Sequence, residues 1–432
     1  MKLLITTAAI GLLAASAPAA AQMGSYRPPM SQPPQTMEPP PNVQPANNEN
    51  TANKAPSAQN QIRPSSKAQK AIIDLQTAVN KNDTADIPAK VAAAQAVATT
   101  KEDHYLIGEL QLKAAVASKD NNAMLTGIDA IAASGYEDPG KVARLYAIVG
   151  KSFDDAKQPA QAVASYQKAL ALDPRNGDIE ILLGEAQSEQ GQPSAAVASF
   201  ERAIQIQSAA GQKPQEALYT TALKTAYDAH LPSALDIARE WVAAYPKPSS
   251  WHDAIAIYRN LDHPDEEGTL DLLRLMEATG AMTSPHDYAL FAEAAADQSN
   301  FNEAQAVLDA GVAAHQVDPT SAEFRDIFSG LKSKPKATAA DLAAAAKMSP
   351  SAVNLLHIGD RYYGMGDYAH AADLYRQVLG APGADKDVAN LHLGMALARS
   401  GDKAGATAAF NAVSGPRADI AKFWLAYLQQ HA

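Results

Sequence analysis

Residues 143–176 read ARLYAIVGKSFDDAKQPAQAVASYQKALALDPRN, and residues 177–210 read GDIEILLGEAQSEQGQPSAAVASFERAIQIQSAA. Both stretches are 34 residues long and place an aliphatic residue, a glycine, an alanine, an aromatic ring and a second alanine at matching positions. These residues are Val149, Gly150, Ala162, Tyr166 and Ala169 in the first stretch and Leu183, Gly184, Ala196, Phe200 and Ala203 in the second. A repeat of this length indicates one supersecondary unit copied along the chain.

Each stretch predicts two short helices that cross at close range. Small residues must lie where the helix axes approach, and Gly184 and Ala196 meet this need in the second stretch. Rings such as Tyr166 and Phe200 fill the space beside the crossing and bury much of the apolar area. One helix pair cannot cover its own apolar side, so we expect neighbouring pairs to stack on it.

This pattern resembles the tetratricopeptide repeat, a helix–turn–helix unit with a period of about 34 residues. The resemblance is clear in four units, which begin near Ala143, Gly177, Ala352 and Asp387, and it is weak in the units between them. It implies an all-α fold, a right-handed α-solenoid of stacked repeats that presents a concave face. Residues 416–432 predict a capping helix, because the last repeat of such an array leaves a groove to be covered.

Changes in composition divide the chain into segments. The expected order is a signal peptide at 1–21, a disordered Pro-rich linker at 22–65, degenerate helical repeats at 66–141, tetratricopeptide-like repeats at 142–348 with the clearest at 143–210, clear repeats at 349–415 and the capping helix at 416–432. Residues 321–347 are irregular, and Pro335 divides them. They predict either a degenerate unit or a hinge.

The first residues predict export. Lys2 supplies a positive charge, Leu3–Leu13 an apolar run and Ala19–Ala21 a cleavage motif before Gln22. The alternative is an uncleaved membrane anchor, but the apolar run is shorter than the roughly 20 residues that cross a bilayer. We expect the periplasm of a Gram-negative cell in preference to the extracellular space, with no membrane-spanning segment after cleavage.

The prolines between Gly24 and Ser66 predict a segment without regular structure, because proline removes backbone donors and fixes φ. This segment is either a spacer left after signal processing, or a tether or ligand for a proline-binding domain. The sequence leaves these roles open.

Composition narrows the range of functions. The formal net charge of −11 and an isoelectric point of about 5.4 disfavour a nucleic-acid partner. The chain contains no cysteine, so disulfides, thiol catalysis and thiolate metal sites are impossible. No zinc-protease, serine-hydrolase, phosphate-loop or dinucleotide motif is present. We therefore expect neither an enzyme nor a cofactor.

Two groups of polar residues are candidates for a metal site. The run His263–Glu267 could hold a divalent cation, but its carboxylates are better interpreted as the acidic first turn of a helix. His357 and His392 occupy the sixth place of their repeats, so stacking would bring their helices together. No third ligand is visible at metal-site spacing, and we interpret both histidines as satisfied or groove-lining residues.

The resemblance implies that first-helix residues at the second, fifth, ninth, twelfth and thirteenth places of each repeat bind a peptide or a protein helix. The predicted partner-binding groove consists of Arg144, Lys151, Asp154, Asp155, Ile181, Glu185, Ser188, Glu189, Leu356, Asp360, Tyr363, Leu391 and Met395. This mixture departs from the Lys/Asn/Arg set with which certain family members clamp a C-terminal carboxylate, so that role is not favoured. The alternative is that much of this face is only solvated.

These observations predict a non-catalytic periplasmic scaffold that binds a protein or peptide partner in the cell envelope, in envelope assembly or polysaccharide export. The alternative is an accessory subunit of an envelope enzyme complex, such as a polysaccharide synthase or a murein hydrolase, with the chemistry on another chain. The sequence names neither the partner nor the pathway.

Overall fold

The computed structural model describes residues 62–430. The predicted signal peptide (1–21) and all but the last four residues of the predicted linker (22–65) lie outside this range. Within it, every regular element is a helix, which confirms the predicted all-α class. The described residues divide into two units, one formed by 62–156 with 171–173 and the other by 157–170 with 174–430.

Within its described residues, the first unit contains five helices that pack mainly on their neighbours in the chain. They are α1 (Gln69–Asn80), α2 (Ile87–Val97), α3 (Lys101–Ser118), α4 (Asn121–Ser134) and α5 (Pro139–Asp155). Glycines allow α3 and α4 to cross closely, because a Cβ atom on Gly108 would lie 2.9 Å from the backbone nitrogen of Ile131. A larger residue there would push the two helices apart.

Asp103 ties the segment before α1 to α3. Its carboxylate accepts hydrogen bonds from the backbone N–H and the hydroxyl of Ser65, at 2.7 and 2.8 Å, and from the backbone N–H groups of Thr99 and Thr100. Burial alone would raise the pKa of Asp103, but these donors lower it to about 2. The carboxylate therefore stays charged and holds the segment in place.

The second unit contains the remaining helices of the described range, and most consecutive ones pack as hairpins. They are α6 (Pro159–Leu172, whose last two residues fall in the first unit), α7 (Gly177–Glu189), α8 (Pro193–Ala209), α9 (Glu216–Asp228), α10 (Ser233–Ala244), α11 (Pro248–Asp262), α12 (Glu266–Ala278), α13 (Pro285–Asp297), α14 (Phe301–Ala313), α15 (Ala322–Lys332), α16 (Ala339–Met348), α17 (Ala352–Gly364), α18 (Tyr368–Gly380), α19 (Lys386–Ser400), α20 (Lys403–Asn411) and α21 (Ala418–Gln430), which follows a 3-10 turn at Gly415–Arg417.

Three hairpins share one kind of crossing, in which a glycine of the first helix faces an aromatic ring of the second. The pairs are Gly184 with Phe200, Gly359 with Tyr375 and Gly394 with Phe410. A Cβ atom added to the glycine would lie 2.5 Å from the ring in the first pair and 2.6 Å in the second. Each ring follows its glycine by sixteen positions (184 to 200, 359 to 375, 394 to 410), so the repeated spacing in the sequence produces a repeated contact.

The irregular stretch 321–347 is not a hairpin. α15 packs on α13 and α14, whereas α16 packs on α17. The buried residues are Phe324 and Leu331 in α15 and Leu342 in α16, and Pro335 lies in the link between these helices. α14 contacts α17 directly, so the stacking of repeats continues past the stretch.

The helix predicted as a cap does more than cover the last hairpin. α21 contacts α19 and α20, as a cap would, and it also packs on α10 and α12. Arg239 of α10 pairs with Asp419 at 3.0 Å, and the indole N–H of Trp251 donates to the side chain of Gln430 at 3.1 Å. The partners in these two pairs are 180 and 179 residues apart. No local pattern in the sequence could indicate such a contact.

Replacing Gly184 with leucine should destabilise the second unit by at least about 1–3 kcal/mol, because the new side chain has no room beside the buried ring of Phe200. Urea unfolding followed by circular dichroism measures the change. The matched control is Gly330→Leu, at an exposed position of α15 with no atom near the added Cβ. Equal unfolding midpoints for the two variants would contradict the crossing described here.

Candidate functional site

Part of the predicted partner-binding groove lies on α5 in the first unit. Arg144, Lys151 and Asp155 are exposed there, and Asp154 is half-buried. Lys151 pairs with Asp155 at 3.1 Å. These side chains are accessible, so they stay a predicted contact surface of the first unit.

A second part of the predicted groove lies on α7 in the second unit. Glu185, Ser188 and Glu189 are exposed, and Ile181 is half-buried. Glu189 lies 3.6 Å from the ammonium group of Lys157. Two of these residues, Ile181 and Glu185, border a pocket between α7, α8 and α9.

This pocket, called here the α7–α9 groove, has a volume of about 260 Å³. Its lining residues are Asp178, Ile181, Glu185, Phe200, Gln207, Gln215, Ala217, Leu218 and Thr221. The ring of Phe200 and the side chain of Leu218 are buried and form an apolar floor with Ile181. Asp178 and Glu185 are exposed carboxylates at its edge. None of the described residues that line the groove is basic, so it suits an apolar side chain next to a cation.

The C-terminal part of the predicted groove is not open. Leu391 and Met395 have no exposed surface, and Asp360 and Tyr363 are 7% and 4% exposed. Leu356 is half-buried. The prediction placed these first-helix residues on an accessible face, but other helices of the second unit cover that face, so a partner cannot reach four of the five.

Asp360 belongs to a buried group of ionised side chains, called here the charge cluster: Asp271, Arg274, Glu303, Asp360 and His392. The imidazole of His392 lies between two carboxylates, with Nδ1 2.8 Å from Asp360 and Nε2 3.1 Å from Asp271. His392 is 1% exposed and Asp271 is fully buried. Three helices, α12, α17 and α19, meet at this imidazole.

Arg274 is the second cation of the charge cluster. Its guanidinium binds Glu303 through two hydrogen bonds of 2.8 Å, which is the bidentate geometry that Arg–carboxylate pairs prefer. The same group lies 3.3 Å from Asp271 and 3.9 Å from Asp360. Arg274 is 1% exposed, so α14 is joined to the same buried network as α12 and α17.

The charges in the cluster determine each other's ionisation. Burial alone would lower the pKa of His392, but the carboxylates of Asp271 and Asp360 outweigh it and raise that pKa to about 10. Burial would raise the pKa of Asp360, but His392 and Arg274 lower it to about 2. The imidazole is therefore a cation at neutral pH, and each of its nitrogens lies close to a carboxylate.

The two histidines singled out in the sequence do line one small cavity of about 20 Å³, but they differ in role. His357 is exposed, whereas His392 is part of the charge cluster. Ligand atoms of Glu267, Asp360 and His392 lie within 4.8 Å of one another, as in a potential metal site. Both imidazole nitrogens already face carboxylates, and a guanidinium nitrogen of Arg417 lies 2.8 Å from Glu267. The protein's own cations thus take the place of a metal ion.

The acidic run before α12 is a helix start, as predicted. The side chain of Asp265 accepts a hydrogen bond from the N–H of Gly268 at 2.7 Å, and Glu266 and Glu267 form the first turn. Arg417 adds a contact that the sequence does not indicate, because it pairs with both Asp265 and Glu267.

Sequence reasoning missed Asp271 and Arg274. The signal was present, since residues 270–276 read LDLLRLM and place two charges inside an apolar run. A charge at such a position is buried only when it is paired. Glu303 and Asp271 were identifiable as partners only after folding, because they lie 29 residues from Arg274 and 121 from His392.

Two tetratricopeptide repeat models match the sequence, at residues 155–212 and 356–419. The chain contains tetratricopeptide repeats in these two stretches. Both matches overlap the clear repeats that begin near Ala143, Gly177, Ala352 and Asp387. Proteins of this family present stacked helix pairs to protein partners, and the repeats support the role of a protein–protein interaction scaffold.

Solved structures that resemble this chain have low sequence identity to it. A tetratricopeptide repeat protein from Parabacteroides merdae is 13% identical, with 76% of this chain and 99% of that chain covered and a TM-score of 0.25. BtubC from P. vanneervenii is 15% identical, with 63% and 96% covered and a TM-score of 0.25. No curated protein sequence matches the chain. Among residues 62–430, no helix has both the length and the hydropathy that a bilayer crossing requires.

The charge cluster should make stability depend on pH. The pKa of His392 rises from an ordinary value of 6.5 to about 10 on folding. Its contribution to the free energy of unfolding is therefore complete below pH 6.5 and is lost as the pH rises towards 10. The pKa of Asp360 falls from 3.8 to about 2 on folding. Its contribution to the free energy of unfolding is therefore present above pH 3.8 and is lost on acidification. Urea unfolding at intervals between pH 6 and pH 10 measures the loss of stability as the pH rises.

The comparison variant is His392→Gln, which cannot become a cation. It should be less stable at pH 7 by about 3–5 kcal/mol, because two buried carboxylates lose a charged partner. Its stability should also fall less steeply than that of the natural chain between pH 6.5 and pH 10. Parallel curves for the two proteins over this range would show that His392 is not a buried cation.

Proposed function

We propose that the protein is a non-catalytic periplasmic scaffold that binds a segment of a protein partner in the α7–α9 groove. The observation that carries the proposal is the groove itself, which combines an apolar floor with two exposed carboxylates. Five of its nine lining residues fall in a stretch matched by a tetratricopeptide repeat model. Among them are Ile181 and Glu185, which occupy places where the family binds its ligands.

The chemistry of the groove favours one class of ligand. A pocket of about 260 Å³ accommodates one or two side chains and not a folded domain. Ile181 and Leu218 suit an aliphatic or aromatic side chain, and Asp178 with Glu185 suits a neighbouring lysine or arginine. We expect a short segment of the partner with an apolar residue beside a basic one.

The first residues of the sequence support the proposed location. The charged, apolar and small-residue regions of 1–21 resemble those of a secretory signal peptide. An exported scaffold meets its partners in the cell envelope, and we propose envelope assembly or polysaccharide export as the setting. The acidic net charge of −11 suits partners with basic contact segments.

Site-specific crosslinking in Gram-negative cells that produce the chain tests this proposal. A photo-crosslinking amino acid at Thr221, which is exposed and lines the groove, should capture a partner. The same amino acid at Thr407, which is exposed on α20, should not. The chain should be recovered from the periplasmic fraction with Gln22 as its first residue, and a chain that keeps Met1 and stays in the membrane fraction would contradict the location.

Charge reversal in the groove, Asp178→Lys with Glu185→Lys, should reduce the crosslink at Thr221 at least about tenfold, since like charges then face the basic segment. The control carries the same change of charge on exposed residues of α15, Glu323→Lys with Asp326→Lys, and should keep the crosslink. Equal crosslinking by the two variants would mean that the groove does not select the partner.

A further inference from the structure

The last helix of the chain lies on a surface built by helices far from it in sequence. α21 packs on α10 and α12 in addition to its neighbours α19 and α20. The surface that receives it, called here the α10–α12 face, includes Arg239 and Val242 of α10, Trp251 and Tyr258 of α11 and the acidic residues that begin α12. It is separate from the α7–α9 groove and uses none of its lining residues.

An aromatic side chain anchors α21 to this face. The ring of Phe423 has no exposed surface and lies 5.8 Å from the ring of Tyr258 and 6.3 Å from that of Trp251, between ring centroids. The guanidinium of Arg239 lies 5.6 Å from the centre of the same ring. A buried aromatic residue in a pocket of rings is the usual centre of a helix-binding surface.

Charged and polar groups fix the direction of α21 on the face. At its start, Arg417 pairs with Asp265 at 3.1 Å and with Glu267 at 2.8 Å. Two residues further, Asp419 pairs with Arg239. At its end, the amide of Gln430 accepts a hydrogen bond from the indole of Trp251 and donates one to the carbonyl oxygen of Val242 at 2.9 Å. The reverse orientation would place Arg417 far from the carboxylates.

This mode of packing is that of a bound helix in a groove. A helix of 13 residues is marginal by itself in water, so α21 depends on the face for its structure. The connection from α20 to the 3-10 turn, residues 412–414, is exposed except for half-buried Val413. Within the described residues, the buried indole N–H of Trp424 has no hydrogen-bond partner, which lowers the free energy gained by docking.

We propose that the α10–α12 face is a second binding site, whose ligand is an amphipathic helix of a partner with a cation before its first turn and an aromatic residue on its apolar side. α21 is the intramolecular occupant of this site. Because a short connection holds α21 near the face at an effective concentration on the order of millimolar, a partner's helix binds only after it displaces α21. The acidic residues Asp265 and Glu267 receive the cation, and the rings around Phe423 receive the aromatic residue.

The test uses the full chain with a protease recognition sequence inserted between Ala412 and Val413. Cleavage removes the covalent link and leaves α21 held by its contacts alone. A fluorescent peptide of residues 414–430 is the probe, and its anisotropy reports binding. The cleaved chain should bind the peptide by exchange, and the uncleaved chain should bind it at least about 100-fold more weakly, because its own α21 competes. A peptide with Arg417→Glu should bind the cleaved chain at least about tenfold more weakly than the natural peptide.

Three outcomes would overturn the proposal. Cleaved chain that neither releases α21 nor takes up the peptide would show that the helix is a permanent part of the core. Loss of the helical circular dichroism signal on cleavage alone would show the same. A dimer of the uncleaved chain, formed by exchange of α21 between copies and detected by size-exclusion chromatography, would make the ligand a second copy of this chain and not a partner's helix.

Discussion

Arg274 and His392 are buried cations, and the arrangement of the second unit depends on the carboxylates that surround them. Removing a charged group from water costs several kcal/mol, and the cost is offset only when every charge has a close partner. Asp271, Glu303 and Asp360 provide these partners from α12, α14 and α17, while His392 comes from α19. Helices of four repeat regions are therefore held in one register, because a shift of any of them would leave a buried charge unpaired.

This constraint determines which surfaces of the protein can bind a partner. The first helices of the C-terminal repeats turn residues such as Met395 and Tyr363 towards the charge cluster and the packed core, where a ligand cannot reach them. A partner can therefore bind only at surfaces outside that core. The α7–α9 groove is open, and the α10–α12 face is covered by α21, so one chain offers an accessible site and a site that requires displacement. An array of similar repeats thus acquires different binding properties along its length.

Contacts within one hairpin could be predicted from the sequence, whereas contacts between distant repeats could not. The glycine and the ring that cross in a hairpin, such as Gly184 and Phe200, are separated by a fixed spacing that recurs along the chain, so both the hairpins and their crossings could be predicted. Ile181 and Glu185 were placed in the groove by their positions in one repeat. Asp360 was predicted on the same grounds but lies in the charge cluster, because its partner His392 belongs to the next repeat and Arg274 to a much earlier one. Contacts of this kind depend on how repeats stack, which one repeat does not specify.

The charge cluster and its surrounding helices close the C-terminal face, while the α7–α9 end stays open. Because the chain has no cysteine, single cysteines report accessibility without interference. Ser188→Cys, at an exposed position of the predicted partner-binding groove on α7, and Met395→Cys, at a buried position of the same predicted groove on α19, are compared by their rates of reaction with a maleimide in native buffer. We expect rapid labelling of Ser188→Cys and labelling of Met395→Cys at least about 100-fold more slowly, at a rate that rises in urea. Similar rates for the two cysteines in the native protein would contradict it.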